Sequence, residues 1–367
     1  MTMPLTEQVA LALPALYGRR GYAQYKMSKF EEYDLYARNK DFLISDHVIT
    51  FTDLSGKLMA LKPDVTLSIV KNSADRPDGL QKLYYNENVY RPSKGSQGFK
   101  EIMQMGLECL GRIDDYCITE VLTLAAESLS AISGDAVLDI SHLGLLTEVM
   151  ASLGIPAHRQ SELVKFISQK NTHELTALCR ELGVSEEGAE VLRGLIATTG
   201  APAQVLPRLE SLLTGSVSAD TWSRFRNVIE ALDNDPMLRI DFSVVDDLHY
   251  YNGFVFKGFV PGLAGSILSG GQYDKLMQKM NRSAGAIGFA VYLDMLERLE
   301  QPNRSCDVDT VLLYDAGAPL APLRRVVAEL SENCPSLLTL PSVPEGLRYR
   351  RLLKFTDCEV QTIEENA

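Results

Sequence analysis

Apolar positions recur with helical spacing at the amino terminus. Leu5, Val9, Leu13 and Leu16 fall on one face and Gly18 follows, which predicts a helix over 4–18, with Pro14 ending or kinking it early. The period then shortens. Val48–Thr52 is β-branched and aromatic, Asp53–Gly56 reads as a turn and Lys57–Lys62 as a second strand, so a hairpin is expected. Pro63 stands where the first turn of a helix accepts it, Asp64 lies beside the positive helix end, and Leu67, Ile69 and Val70 follow. Two more strands, 80–91 and 99–110, flank the turn-rich stretch 92–98.

From about Thr119 the helical period returns, and between about 141 and 235 nearly every segment carries it. Asn171 and Ser185 have the composition of N-caps. Such a Leu/Glu/Ala-rich stretch between sheet segments is most simply a small helical subdomain. Strands resume at 238–245 and 250–256, and another enters a turn at Gly270-Gly271. Residues 286–299 read as a helix, which Gly288 would let lie close to the sheet. After a linker at 301–305, a strand at 309–314, a helix at 320–330 and a strand at 337–340 predict a small α/β unit over 306–367.

Composition narrows the function classes. The 367 residues are 46% apolar and 23% charged, which suits a soluble chain of two or three domains. Basic residues number 36 against 48 acidic, a net charge of −12, so no global field draws nucleic acid or an anionic membrane. The six cysteines are scattered with no CxxC pair, which predicts a reduced, cytosolic protein without a zinc site. The amino terminus has no signal-peptide pattern, and no window approaches the ~18 consecutive apolar residues of a membrane span. Phosphate-binding glycine loops, HExxH and GxSxG are all missing from the sequence.

The segment 101–111 is the richest in chemistry. At period two, Met103, Met105, Leu107 and Cys109 share one face while Gln104, Gly106 and Glu108 share the other. An amide and a carboxylate with a bare backbone between them suit the floor of a small polar-ligand site; a solvated face of an edge strand fits the same pattern. In a strand, Tyr250 and Tyr251 would point to opposite sides, one into the core and one toward a ligand. His249 has no second histidine at metal spacing. Arg91 ends a strand that carries Tyr85 and Glu87 on the same face, and a salt bridge within the sheet is one account of it.

In order, Leu61-Lys-Pro-Asp-Val-Thr66, Asn88-Val-Tyr-Arg91, Glu101 to Glu108, Tyr250 to Phe256, Gly270-Gly-Gln-Tyr-Asp274 and Ala286-Ile-Gly-Phe-Ala290 resemble the class II histidyl-tRNA synthetase catalytic domain. The resemblance implies an α+β fold, a mostly antiparallel sheet flanked by helices over 1–300 with 141–235 as a helical insertion; the small α/β unit at 306–367 departs from it, being shorter than the synthetase's anticodon-binding domain. It also implies histidine recognition by Asp64, Thr66, Arg91, Gln104, Glu108, Tyr250 and Tyr251, although Asp64 is a glutamate and Asn252 a threonine in most relatives.

The departures bear on activity. The synthetase arginine before the Tyr-Tyr element corresponds to Asp246, and the arginine ending the third motif falls at Met295. Gln272 stands where the family has arginine in Gly-Gly-Arg-Tyr-Asp, and Ser93 where the second motif has glutamate. Each cation lost from developing phosphate charge costs ~2.7 to 4 kcal/mol, so two or three losses abolish useful adenylation. A kept amino-acid pocket with a lost phosphate grip resembles the regulatory subunits of ATP phosphoribosyltransferase. Those synthetase paralogues bind and activate the short catalytic subunit and take part in feedback inhibition by L-histidine.

That resemblance implies no catalytic residues, no cofactor and no metal. It implies L-histidine as effector and a homodimer within a cytoplasmic hetero-oligomer that has no tRNA partner. The rival expectations are a divergent histidine-tRNA ligase, with arginines supplied from elsewhere, and a synthetase-like tRNA-binding module.

Overall fold

The computed structural model describes residues 3–43, 47–75, 78–93, 98–232, 235–245, 250–299 and 306–365. Contacts divide the chain into two compact units, Val9–Glu297 and a smaller one formed by Arg298–Ala367 with Met1–Gln8. Asp246, His249 and the expected linker 301–305 lie outside the described residues, as does most of the turn at 92–98.

The larger unit is built on a nine-stranded sheet. Its order is Ala23–Gln24, Leu80–Pro92, Phe99–Gly111, Gly285–Tyr292, Leu268–Gln272, Phe254–Phe259, Val137–His142, Leu238–Asp241, Thr199–Gly200. Ala23–Gln24 on Leu80–Pro92 and Leu238–Asp241 on Val137–His142 are parallel, and the other neighbours antiparallel. Leu80–Pro92 and Phe99–Gly111, second and third in that order, pair along their whole length as a long ribbon. A second sheet sets Leu58–Leu61 between Phe30–Glu32 and Thr50–Thr52. The expected hairpin is present, its turn tied by Asp53 Oδ1 accepting from the Ser55 and Lys57 backbone N–H groups.

Helices run from Leu143–Ser152 through Ala219–Ala231 in the expected helical stretch. Asn171 and Ser185 cap two of them, accepting from the backbone of Glu174 and Gly188. The smaller unit has a four-stranded sheet ordered Leu337–Leu340, Val308–Tyr314, Tyr349–Thr356, Glu359–Glu365, with the helix Leu320–Asn333.

Several sequence-based expectations are corrected. The first helix, Leu5–Arg19, continues through Pro14, because buried Leu13 and Tyr17 hold it on both sides of the missing N–H. The helix expected at Pro63 starts at Thr66; Asp64 stands just outside and accepts from the Leu67 N–H at 2.9 Å. Val137–His142 is a strand that the return of helical period at Thr119 concealed. Gly270 and Gly271 lie inside a strand paired on both sides rather than in a turn, and they are glycines because neighbouring atoms come too close for any Cβ. Residues 286–299 are not a helix: Gly285–Tyr292 is a strand and Leu293–Arg298 a 3₁₀ turn. A central strand covered on both faces reads as an unbroken apolar run, which periodicity cannot separate from a buried helix. Tyr250 and Tyr251 precede the strand, which starts at Phe254.

Candidate ligand-binding site

Register places the chemistry. Gly106 pairs with Tyr85 on one side and Ala290 on the other, while Glu108 faces Leu83 and Gly288. Two residues apart on one strand, Gln104, Gly106 and Glu108 therefore share the face that forms a cavity floor. A Cβ on Gly288 would lie 1.9 Å from Glu108 Oε2, and one on Gly106 would lie 2.1 Å from the Phe289 carbonyl oxygen. Only glycine at these positions leaves the carboxylate seated and the floor open.

The cavity above this floor has a volume of about 480 Å³, within the ordinary range for small-molecule sites. Asp64, Thr66, Arg91, Gln104, Glu108, Tyr250 and Tyr251 all line it. Gln104 and Glu108 are buried, which removes the solvated-edge reading of their strand. The two tyrosines do not face opposite sides. Both ring systems line the cavity from the loop before the strand, with centroids 4.5 Å apart.

Glu108 is held from two directions. Thr66 Oγ1 donates to its Oε1 at 2.8 Å and Tyr273 Oη to its Oε2 at 2.5 Å. Burial pushes its pKa up to about 8, helped by the negative charge of Asp64 and opposed by the two hydrogen bonds. Burial also raises Asp64, against the pull of Arg91, whose Nη2 lies 3.8 Å from Oδ2. Arg91 Nε donates to the Pro63 carbonyl at 2.7 Å, so its ionic partner is Asp64 and not Glu87. Glu87 is engaged by fully buried Lys62 at 2.5 Å. Burial keeps Tyr85, Tyr250 and Tyr273 far above the ordinary phenol range, so they serve as neutral donors.

Among these groups, Glu108 and Asp64 can face a cation, Arg91 an anion, and the phenols with Gln104 a polar side chain, an arrangement that suits a small zwitterion. Among the described residues no group of three His, Cys, Asp or Glu could hold a metal ion, and no helix is long and apolar enough to cross a membrane.

The departures from the synthetase pattern also have positions. Gln272 turns away from the cavity: its Oε1 accepts the Phe254 backbone N–H at 2.9 Å. Asn252 and Asp274 bond reciprocally, at 2.9 and 2.8 Å, and fix the loop that carries the tyrosine pair. Met295 and Ser93 do not line the cavity. Sequence reasoning missed Tyr85 and Tyr273 as lining residues, although both lie in segments it had singled out. It also missed Phe42, Leu43 and Lys257, whose surroundings carry no comparable pattern.

A sequence profile of the histidyl-tRNA synthetase family matches residues 3–296. An ATP phosphoribosyltransferase regulatory subunit from Oceanobacillus iheyensis is 25% identical over 289 residues, covering 77% of this chain and 71% of that protein. Among solved structures, an ATP phosphoribosyltransferase regulatory subunit/histidyl-tRNA synthetase from Bacillus halodurans C superposes with a TM-score of 0.73 at 20% identity, covering 96% of each chain. A chain of the ATP phosphoribosyl transferase (HisG:HisZ) complex from Thermotoga maritima superposes with a TM-score of 0.61 at 19% identity, covering 78% of this chain and 97% of that one. At these identities the structures show the fold alone, a large sheet flanked by helices in the class II synthetase arrangement.

Proposed function

The chain belongs to the histidyl-tRNA synthetase family, and from that premise we propose that it is a non-catalytic regulatory subunit of ATP phosphoribosyltransferase that takes L-histidine as its effector. The relatives named as regulatory subunits support the role. One observation carries the reading. The pocket presents Glu108, Asp64, Arg91 and Gln104 to an amino acid, while Met295, where the family has the arginine that grips the ATP triphosphate, brings no cation and does not line the cavity.

The proposed partner is the short-form catalytic subunit, which the chain activates and makes sensitive to histidine within a cytoplasmic hetero-oligomer. Allosteric coupling of ~1 to 3 kcal/mol suffices, and by linkage histidine and the partner's state influence each other equally. A homodimer core completes the reading. Exposed Phe30 and Phe51 on the three-stranded sheet, ring centroids 5.5 Å apart, give it an apolar surface to bury.

Reconstitution with a short-form catalytic subunit, assayed with and without L-histidine, tests the function. Activation by the chain and inhibition by histidine are expected. Robust histidine-dependent ATP–pyrophosphate exchange by the chain alone would instead make it a ligase, and salt-dependent tRNA binding without any effect on the catalytic subunit would make it a tRNA-binding module.

A further inference from the structure

The floor of the cavity is deep, with Gln104 and Glu108 3% and 2% exposed. Asp41, Phe42 and Leu43 line that cavity from a segment remote in sequence from the floor strand. Residues Lys40–Phe42 form a single 3₁₀ turn, in which the Phe42 and Leu43 N–H groups donate to the Asn39 and Lys40 carbonyls, both at 3.0 Å. So short a turn has little stability of its own and depends on what it packs against.

Phe42 anchors it in the core cluster, and Lys279 adds two contacts from outside. The Lys279 ammonium lies 2.6 Å from Asp41 Oδ2 and 5.0 Å from the centre of the Phe42 ring. Phe42 in turn packs on Tyr250, with centroids 5.8 Å apart, and Tyr250 lies 6.0 Å from Tyr273. Lys279 is the last residue of the short helix Asp274–Lys279, and Tyr273, which donates to Glu108, immediately precedes that helix. One helical turn and a half thus joins the group that seats the floor carboxylate to the group that grips the mouth.

From this juxtaposition we infer that Lys279 is a positioning residue for the bound ligand: it clamps residues 40–43 across the mouth as a strap and so sets how fast a ligand leaves. This rests on the reading of the cavity as an amino-acid site, and it adds a residue that touches no ligand. The ion pair is partly exposed, with Lys279 and Asp41 side chains 38% and 71% accessible, so its worth is modest, and the cation–π contact with buried Phe42 adds to it.

The test uses the full chain and two measurements. Lys279→Met keeps the apolar stem and removes the charge, and Lys279→Arg keeps both contacts. In Lys279→Met without ligand, amide exchange at Phe42 and Leu43 should quicken roughly three- to tenfold, and L-histidine dissociation in stopped flow should quicken by a similar factor. Lys279→Arg should restore both, with the thermal midpoint unchanged throughout. Unchanged exchange at Phe42 and Leu43 in Lys279→Met overturns the clamp whatever binds the cavity, as does faster exchange spread over the whole protein. Faster local exchange in a protein that does not bind L-histidine upholds the clamp and sinks the amino-acid reading.

Discussion

Gln272 Oε1 accepts the Phe254 backbone N–H at 2.9 Å, and a Cβ on Gly253 would stand 1.9 Å from that same oxygen. The amide is therefore enclosed by the loop that leads from the tyrosine pair into the strand. A side chain so placed satisfies a buried backbone donor and does not line the cavity.

Gln272→Leu should leave the buried Phe254 N–H without an acceptor and cost about 1 to 3 kcal/mol, read from denaturant unfolding. Gln272→Arg should be no less harmful, because a guanidinium offers donors only. Neither substitution should produce ATP–pyrophosphate exchange. Recovery of exchange in Gln272→Arg alone would show that the position still governs phosphate binding.

The Glu108 carboxyl titrates near 8 instead of its ordinary 4.5, so at neutral pH the protonated acid dominates. An ammonium ligand favours the carboxylate, and binding must then expel a proton. L-Histidine affinity should climb toward pH 8 and flatten above it, approaching tenfold per unit where Glu108 is protonated. Calorimetry in buffers of different ionisation enthalpy reads that proton directly. Glu108→Gln should bind more weakly and lose this part of the slope, while assembly with the catalytic subunit survives. The folded protein feels the same group with the opposite sense. A raised carboxyl pKa contributes stability that is present below about pH 4.5 and is lost as pH rises toward 8.

His142 works the other way. Its Nδ1 accepts the Leu145 N–H at 3.1 Å and caps the helix Leu143–Ser152, and burial holds its pKa near 4 instead of 6.5. Stability from the neutral ring is present above pH 6.5 and is lost as the pH falls toward 4, by up to about 3 kcal/mol. Replacing it by Asn keeps an acceptor at the cap and should flatten stability over that window, measured by urea unfolding at several pH values. An unchanged pH profile in His142→Asn would rule out this ring as the source.

Gly288→Ala should damage the pocket more than its size suggests. The added methyl would meet Glu108 Oε2 at 1.9 Å and the Leu107 carbonyl oxygen at 2.4 Å, so both the carboxylate and the strand must shift. A stability loss of about 1 to 3 kcal/mol and at least a tenfold drop in histidine affinity are expected, the first from unfolding and the second from calorimetry.

How much of this was legible depended on whether a residue's environment has a period. Gln104 and Glu108 were readable because alternation along one strand separates the two faces, and the register kept them together. Leu/Glu/Ala-rich helices with Asn171 and Ser185 ahead of them were readable from periodicity and capping chemistry. Residues 286–299 were misread because a strand buried on both faces has no alternation to show. Tyr250 and Tyr251 were expected to diverge, and only the loop conformation fixed by Asn252 and Asp274 turns both toward the cavity. The partnership of Tyr273 with Glu108 spans 165 positions, and no local rule reaches that far.

Gly106 lies between Gln104 and Glu108, and any side chain there would strike the Phe289 carbonyl and the Tyr85 hydroxyl. Between the two polar side chains the chamber's bottom is thus bare main chain, which no substitution at that position can lower. Evolution toward a bulkier guest must therefore work by trimming the walls, and toward a smaller one by filling them in.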